Sequence, residues 1–189
     1  MPKHVIIFAS GTGSNAENIC KVFEHNPKIQ VKALFCNNPN AGVIYKMKPF
    51  DVPVHLFNKF DFANEASFLE LIHSYKPDLI VLAGFLWLIP AYLVNAFPRK
   101  IINIHPALLP KFGGKGMYGH HVHKAVIKAR EKEHGITIHF VTEKYDEGPP
   151  IFQARFDVED TDTEADLARK ISMLEMQYFP EAIRRVLGA

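Results

Sequence analysis

Asn103 and His105 stand two residues apart in the run Ile101-Ile102-Asn103-Ile104-His105, and Pro106 follows at once. In an extended segment, residues i and i+2 project to one face, so the amide and the imidazole can meet one ligand while Ile102 and Ile104 turn to the other side. An amide donor beside an imidazole suits acyl transfer, where one group steadies a developing oxyanion and the other moves a proton. The plainer alternative is a strand that merely ends at Asn-Ile-His-Pro. Asp146 belongs to Thr142-Glu143-Lys144-Tyr145-Asp146-Glu147-Gly148-Pro149-Pro150, which composition alone reads as a solvated acidic turn. Should that turn approach His105, its carboxylate would raise the imidazole pKa and keep the ring protonated.

A second candidate site is Gly11-Thr12-Gly13-Ser14-Asn15, between an apolar run of strand length and a segment whose Ala16, Ile19, Cys20 and Phe23 follow helical spacing. A glycine loop opening a helix aims backbone N–H groups and the positive end of the helix dipole at one point, which favours a phosphate. A tight turn with Ser14 or Asn15 capping the helix is the bland reading. The G-x-G-x-x-A pattern also meets a relaxed dinucleotide fingerprint. That fold wants an acidic residue about 20 positions on, and Leu34-Phe35-Cys36-Asn37-Asn38 has none.

Three further features bear on ligands. Glu175 shares one helix face with Ala168, Ile171 and Tyr178, so a carboxylate interrupts an apolar stripe and must meet donors from the protein or a ligand. Phe85, Leu86, Trp87, Leu88 and Ile89 either line a pocket for a flat ring or extend the core. His120, His121 and His123 match no zinc spacing and are expected to cap or solvate the start of a helix, so no metal is expected.

These groups need elements to hold them. His4 to Ala9, Val31 to Cys36, Pro53 to Phe57, Leu79 to Ala83 and Ile101 to His105 read as strands, the most apolar of them covered on both faces. Helical stripes fall between them, and the first connection is expected to cross over right-handed. Two later strands lie near Ile136 to Val141 and Ile151 to Phe156. A last helix starts at a Thr163/Asp166 capping box and is expected to run until Pro180. This order predicts an α/β fold: a Rossmann-like open, mostly parallel twisted sheet with helices on both faces, residues 1–189 making one domain.

Lys plus Arg at 22 against Asp plus Glu at 20 leaves too little positive excess for non-specific nucleic-acid binding. No apolar run approaches the roughly 20 residues of a membrane span, and no secretory leader precedes the first strand, so a cytoplasmic protein acting on small molecules is expected. Cys20 and Cys36 lack CxxC spacing and are expected as buried free thiols.

Taken together and in order, Gly11-Thr12-Gly13-Ser14-Asn15, Ala83-Gly84-Phe85, Asn103-Ile104-His105-Pro106 with Leu108-Leu109-Pro110, and Asp146-Glu147-Gly148-Pro149 closely resemble the phosphoribosylglycinamide formyltransferases, a folate-dependent family. The resemblance implies formyl transfer from 10-formyltetrahydrofolate to the amine of glycinamide ribonucleotide, in a monomer or homodimer. It puts Asn103, His105 and Asp146 at the catalytic positions, with Asp146 maintaining the His105 charge. Gly11 to Asn15 would surround the substrate phosphate, with Pro106 and Glu175 also on the substrate side. Phe85 to Ile89 and Asn103 would meet the folate. Two departures stand out: the stretch Lys111 to Gly119 is longer than in shorter members, and Glu147 separates Asp146 from the glycine that often follows directly. Methionyl-tRNA formyltransferases and folate-deformylating hydrolases share the Asn, His and Asp positions but carry extra domains. A regulatory nucleotide-binding module and, more distantly, a dinucleotide oxidoreductase are the rivals from other classes.

Overall fold

The computed structural model describes all of residues 1–189. β1 (Lys3–Ala9) has no solvent exposure from Val5 to Ala9 because it lies near the middle of the sheet with helices on both faces. The chain continues through α1 (Ser14–Phe23), β2 (Ile29–Cys36), α2 (Val43–Lys46), β3 (Val54–Leu56), α3 (Lys59–Ala63) and α4 (Glu65–Ser74). It then returns through β4 (Leu79–Leu82), α5 (Ala91–Ala96), β5 (Ile101–His105), α6 (His120–Lys128), β6 (Glu133–Phe140), β7 (Pro150–Asp157) and α7 (Glu164–Leu187). Seven strands form one sheet in the order β3-β2-β1-β4-β5-β6-β7. The first five are mutually parallel, whereas β6 pairs antiparallel with both β5 and β7.

Two apolar layers sandwich the sheet. Ala16 and Ile19 of α1 and Ile171, Phe179 and Ile183 of α7 cover one face, and Phe68 and Ile72 of α4 with Leu93 of α5 cover the other. The chain moves outward from β1 to β3 and then doubles back to β4. The loops after β1 and β4 therefore diverge to opposite faces and leave a crevice at the carboxyl ends, where open α/β sheets bind ligands.

The predicted elements are present, with two differences. α7 does not stop at Pro180 but continues to Leu187, with Pro180 buried inside it. A proline cannot donate to the carbonyl four residues back. That carbonyl, Met176 O, instead accepts 2.8 Å from Asn18 Nδ2 of α1, so the acceptor that should end the helix is satisfied by a neighbour. The start of α7 is as expected, with Thr163 Oγ1 accepting from Asp166 N–H and Asp166 Oδ2 accepting from Thr163 N–H. The short helix α3 is the second difference; it begins at a further capping box, Asn58 with Asp61. Cys20 and Cys36 are buried free thiols, and desolvation pushes Cys20 up to about 12. No helix is long and apolar enough to cross a membrane.

Candidate active site

A cavity of about 760 Å³ opens at the carboxyl ends of β1, β4 and β5. It brings together Gly11 to Asn15 at one end, Phe85 to Ile89 along one wall, Asn103, His105, Pro106 and Asp146 at the centre, and Glu175 from α7, while His120 and His121 lie outside it.

The glycine loop is shaped by close packing. Gly13 is left-handed at φ 78°, and a Cβ there would lie 2.4 Å from Val43 Cγ2, so glycine is required on both counts. Asn15 Nδ2 donates to Glu175 Oε2 at 2.9 Å, and Asn15 Oδ1 is buried without a partner. Burial raises the Glu175 carboxyl above its ordinary range, with the Asn15 bond opposing. The interrupted apolar stripe of α7 thus finds a protein donor, and both partners of the bond line the cavity.

The apolar wall is both pocket and core. Phe85 and Ile89 are buried in the layer over β4, while Leu86 and Leu88 are exposed large apolar side chains. Trp87 meets Phe57 edge-on at 5.9 Å. Leu86 N–H donates to Ser10 Oγ at 3.0 Å and ties this wall to the end of β1.

At the centre, β5 and β6 set the geometry. Their register places Asn103 directly opposite His139 and His105 opposite Thr137. Asn103 Nδ2 lies 3.2 Å from His139 Nε2. His139 Nδ1 lies 2.9 Å from Phe140 O, and since a carbonyl only accepts, Nδ1 carries the proton. The amide nitrogen of Asn103 thus faces the His139 ring. One of the two Nδ2 hydrogens then stays free for a ligand. His105 follows the same rule: Nε2–H donates to Phe112 O at 2.7 Å, so Nδ1 is the nitrogen that gains or loses a proton.

Both imidazoles approach one carboxylate, His105 Nδ1 at 3.5 Å from Asp146 Oδ2 and His139 Nε2 at 3.6 Å from Asp146 Oδ1. Gly114 N–H donates 2.9 Å to Asp146 Oδ2. Burial alone would raise the Asp146 carboxyl; the two imidazoles and the Gly114 N–H outweigh it and hold the group below its ordinary range. Asp146 itself is left-handed at φ 55°, and a Cβ on Gly148 would strike Phe140 O, so the acidic turn is folded tightly against β6 despite Glu147.

One expectation needs correction. Asp146 does approach His105, yet the imidazole pKa is lowered, because desolvation of the buried ring outweighs the carboxylate and the Phe112 carbonyl. Asp146 opposes that shift from 3.5 Å and stabilises the ring in its protonated form. A second expectation also fails in part. His120 and His121 are exposed at the start of α6, but His123 is buried, 3.3 Å from His134 on β6.

Sequence reasoning missed His139, only 2% exposed, and Thr137, fully buried. Thr137 Oγ1 donates to Ala107 O at 2.7 Å and accepts from Leu109 N–H at 3.0 Å, pinning the loop that leaves β5. Their signal was present as polar residues alternating with Ile136 and Ile138. Only the antiparallel register shows that they face Asn103 and His105.

A family model described as formyl transferase matches residues 3–183. The chain belongs to the formyl transferase family. It is 36% identical to phosphoribosylglycinamide formyltransferase of Bacillus subtilis over 98% of this chain and 95% of that protein. It is also 37% identical to the chloroplastic phosphoribosylglycinamide formyltransferase of Arabidopsis thaliana, over 96% of this chain but only 64% of that longer protein. Among solved structures, glycinamide ribonucleotide transformylase 1 of Geobacillus kaustophilus superposes with a TM-score of 0.90 at 32% identity, each chain covered over 100%. Members of this formyl transferase family work with a folate co-substrate.

Proposed function

We propose that the protein transfers the formyl group of 10-formyltetrahydrofolate to the amine of glycinamide ribonucleotide, residues 1–189 acting as one formyltransferase domain in the cytoplasm. The observation that carries this reading is a single cavity joining a glycine loop at a helix N-terminus, an apolar wall, and an amide–imidazole–carboxylate cluster between them. At about 760 Å³ the cavity lies toward the upper end of the range of roughly 300–1,000 Å³ usual for small-molecule sites, which suits two substrates meeting in one crevice. The apolar wall fits the flat ring of a folate, and the bonded pair Asn15 and Glu175, lining the other side, fits a donor-rich substrate.

The folate co-substrate supplies an electrophilic formyl carbon and leaves as tetrahydrofolate. The residues hold and stabilise what develops around it. The free Nδ2 hydrogen of Asn103 donates to the formyl oxygen as negative charge grows there, an interaction that strengthens only as the amine attacks. His105, with Nε2–H fixed on Phe112 O, exchanges its proton at Nδ1, and Asp146 stabilises the imidazolium so formed. His139 positions the Asn103 amide and shares the carboxylate. The Gly11 to Asn15 loop takes the phosphate, and Glu175 takes hydroxyl or amine donors of the same substrate.

The test is absorbance-monitored conversion of 10-formyltetrahydrofolate to tetrahydrofolate by purified protein, with and without glycinamide ribonucleotide. Conversion that requires the amine is expected. Conversion without it would replace this reading with a folate hydrolase, and no conversion in either mixture would leave a nucleotide-binding module.

A further inference from the structure

Lys46, outside every motif read from the sequence, reaches the glycine loop from α2. Val43 fills the space under the left-handed Gly13 and its N–H donates to Gly11 O at 3.1 Å, so α2 is latched to the loop. One helical turn closes with Lys46 N–H donating to Gly42 O, and the side chain then runs back over α1. Lys46 Nζ lies 3.2 Å from Ser14 Oγ and 3.3 Å from Glu17 Oε2.

An ammonium group has three donors and no acceptor, so this contact occupies a lone pair of Ser14 Oγ. The hydroxyl hydrogen must point elsewhere, toward an acceptor. Glu17 is the only carboxylate within ion-pair reach of Lys46, and it is shared with Lys21 at 2.7 Å. Two ammonium groups against one carboxylate leave one positive charge uncompensated beside the N-terminus of α1.

We propose that Lys46 is a phosphate-positioning residue: by donating to Ser14 Oγ it makes the Ser14 hydroxyl a donor to the phosphate of the ribonucleotide, and its own charge adds to the attraction. Glu17 opposes it by drawing the ammonium group away. The inference rests on the reading of Gly11 to Asn15 as the phosphate site. It adds to that reading a residue 32 positions downstream and an acidic residue that tunes it.

The experiment compares wild type with Lys46→Met, Lys46→Arg and Glu17→Gln in steady-state transfer, alongside calorimetric titration of each protein with inorganic phosphate. Lys46→Met should raise KM for the ribonucleotide about tenfold, the loss of one charge-assisted contact, and leave KM for the folate and the melting temperature close to wild type. Lys46→Arg should restore most of the affinity, and Glu17→Gln should lower KM. The KM effect should shrink as salt rises. Inorganic phosphate should bind Lys46→Met correspondingly more weakly. Equal ribonucleotide KM and equal phosphate affinity in wild type and Lys46→Met would overturn the proposal, as would a rise in both substrates' KM that tracks a lower melting temperature. If wild type transfers no formyl group, the functional reading fails, and the phosphate titrations alone still decide Lys46.

Discussion

Replacing His134 with Gln should flatten the acid limb of the stability curve. His134 is 1% exposed on β6, its Nε2 is 3.3 Å from His123 Nδ1, and its ring packs against Phe156. Desolvation, aided by repulsion from His123 and His105, lowers its pKa from 6.5 to about 4. A histidine depressed in the folded state has the following sign: above 6.5 neither state binds the proton, and between 6.5 and 4 only the unfolded chain does. Stability is therefore fully present above 6.5 and falls as pH drops toward 4. At 1.36 kcal/mol per pH unit, a gap of about 2.5 units amounts to about 3 kcal/mol lost across that window. Glutamine keeps a hydrogen-bonding group for His123 but does not titrate. Urea unfolding from pH 4 to 7.5 would give each protein's free energy. The variant should start lower at pH 7.5 and converge on wild type by about 3 kcal/mol toward pH 4. His105 and His123 are also lowered and tilt both curves in the same direction, so the difference between the proteins isolates His134. Parallel curves would refute the reasoning.

Three other outcomes are expected. Asp146→Asn keeps an acceptor for Gly114 N–H but loses the charge between the two imidazoles, so kcat should fall by about 10²–10⁴ with KM changed far less; wild-type turnover in single-turnover assays would remove Asp146 from the chemistry. His139→Gln should lower kcat with KM changed far less, because the ring that holds the Asn103 amide in place is lost; wild-type kcat in the variant would make His139 purely structural. Gly13→Ala forces a Cβ to 2.4 Å from Val43 Cγ2 in a left-handed backbone and should cost about 2–4 kcal/mol by thermal unfolding, part of it recovered in Gly13→Ala/Val43→Ala; no loss would mean the loop and α2 are not locked together.

The sequence was legible wherever a local rule was enough. The two-residue spacing of Asn103 and His105, the glycine loop, the Thr163 capping box and the apolar runs of β1 and β4 each depend on neighbours within a few positions. What escaped was set across the sheet. His139 and Thr137 gain their partners from antiparallel register with β5, 30 or more residues away. The continuation of α7 past Pro180 depends on a side chain 158 residues earlier in the chain. The direction of the His105 shift is a competition between burial and a carboxylate, and no pattern of residue types gives the burial.

The direct pairing of Asn103 with His139 ties the assembly of the cluster to the zipping of two strands. Successive strand residues face opposite sides, so a slip of one position would carry His139 away from Asn103 altogether. No partly correct register keeps the pair. In refolding, the return of turnover is accordingly a clock for completion of the β5–β6 seam, while the appearance of helical signal is not.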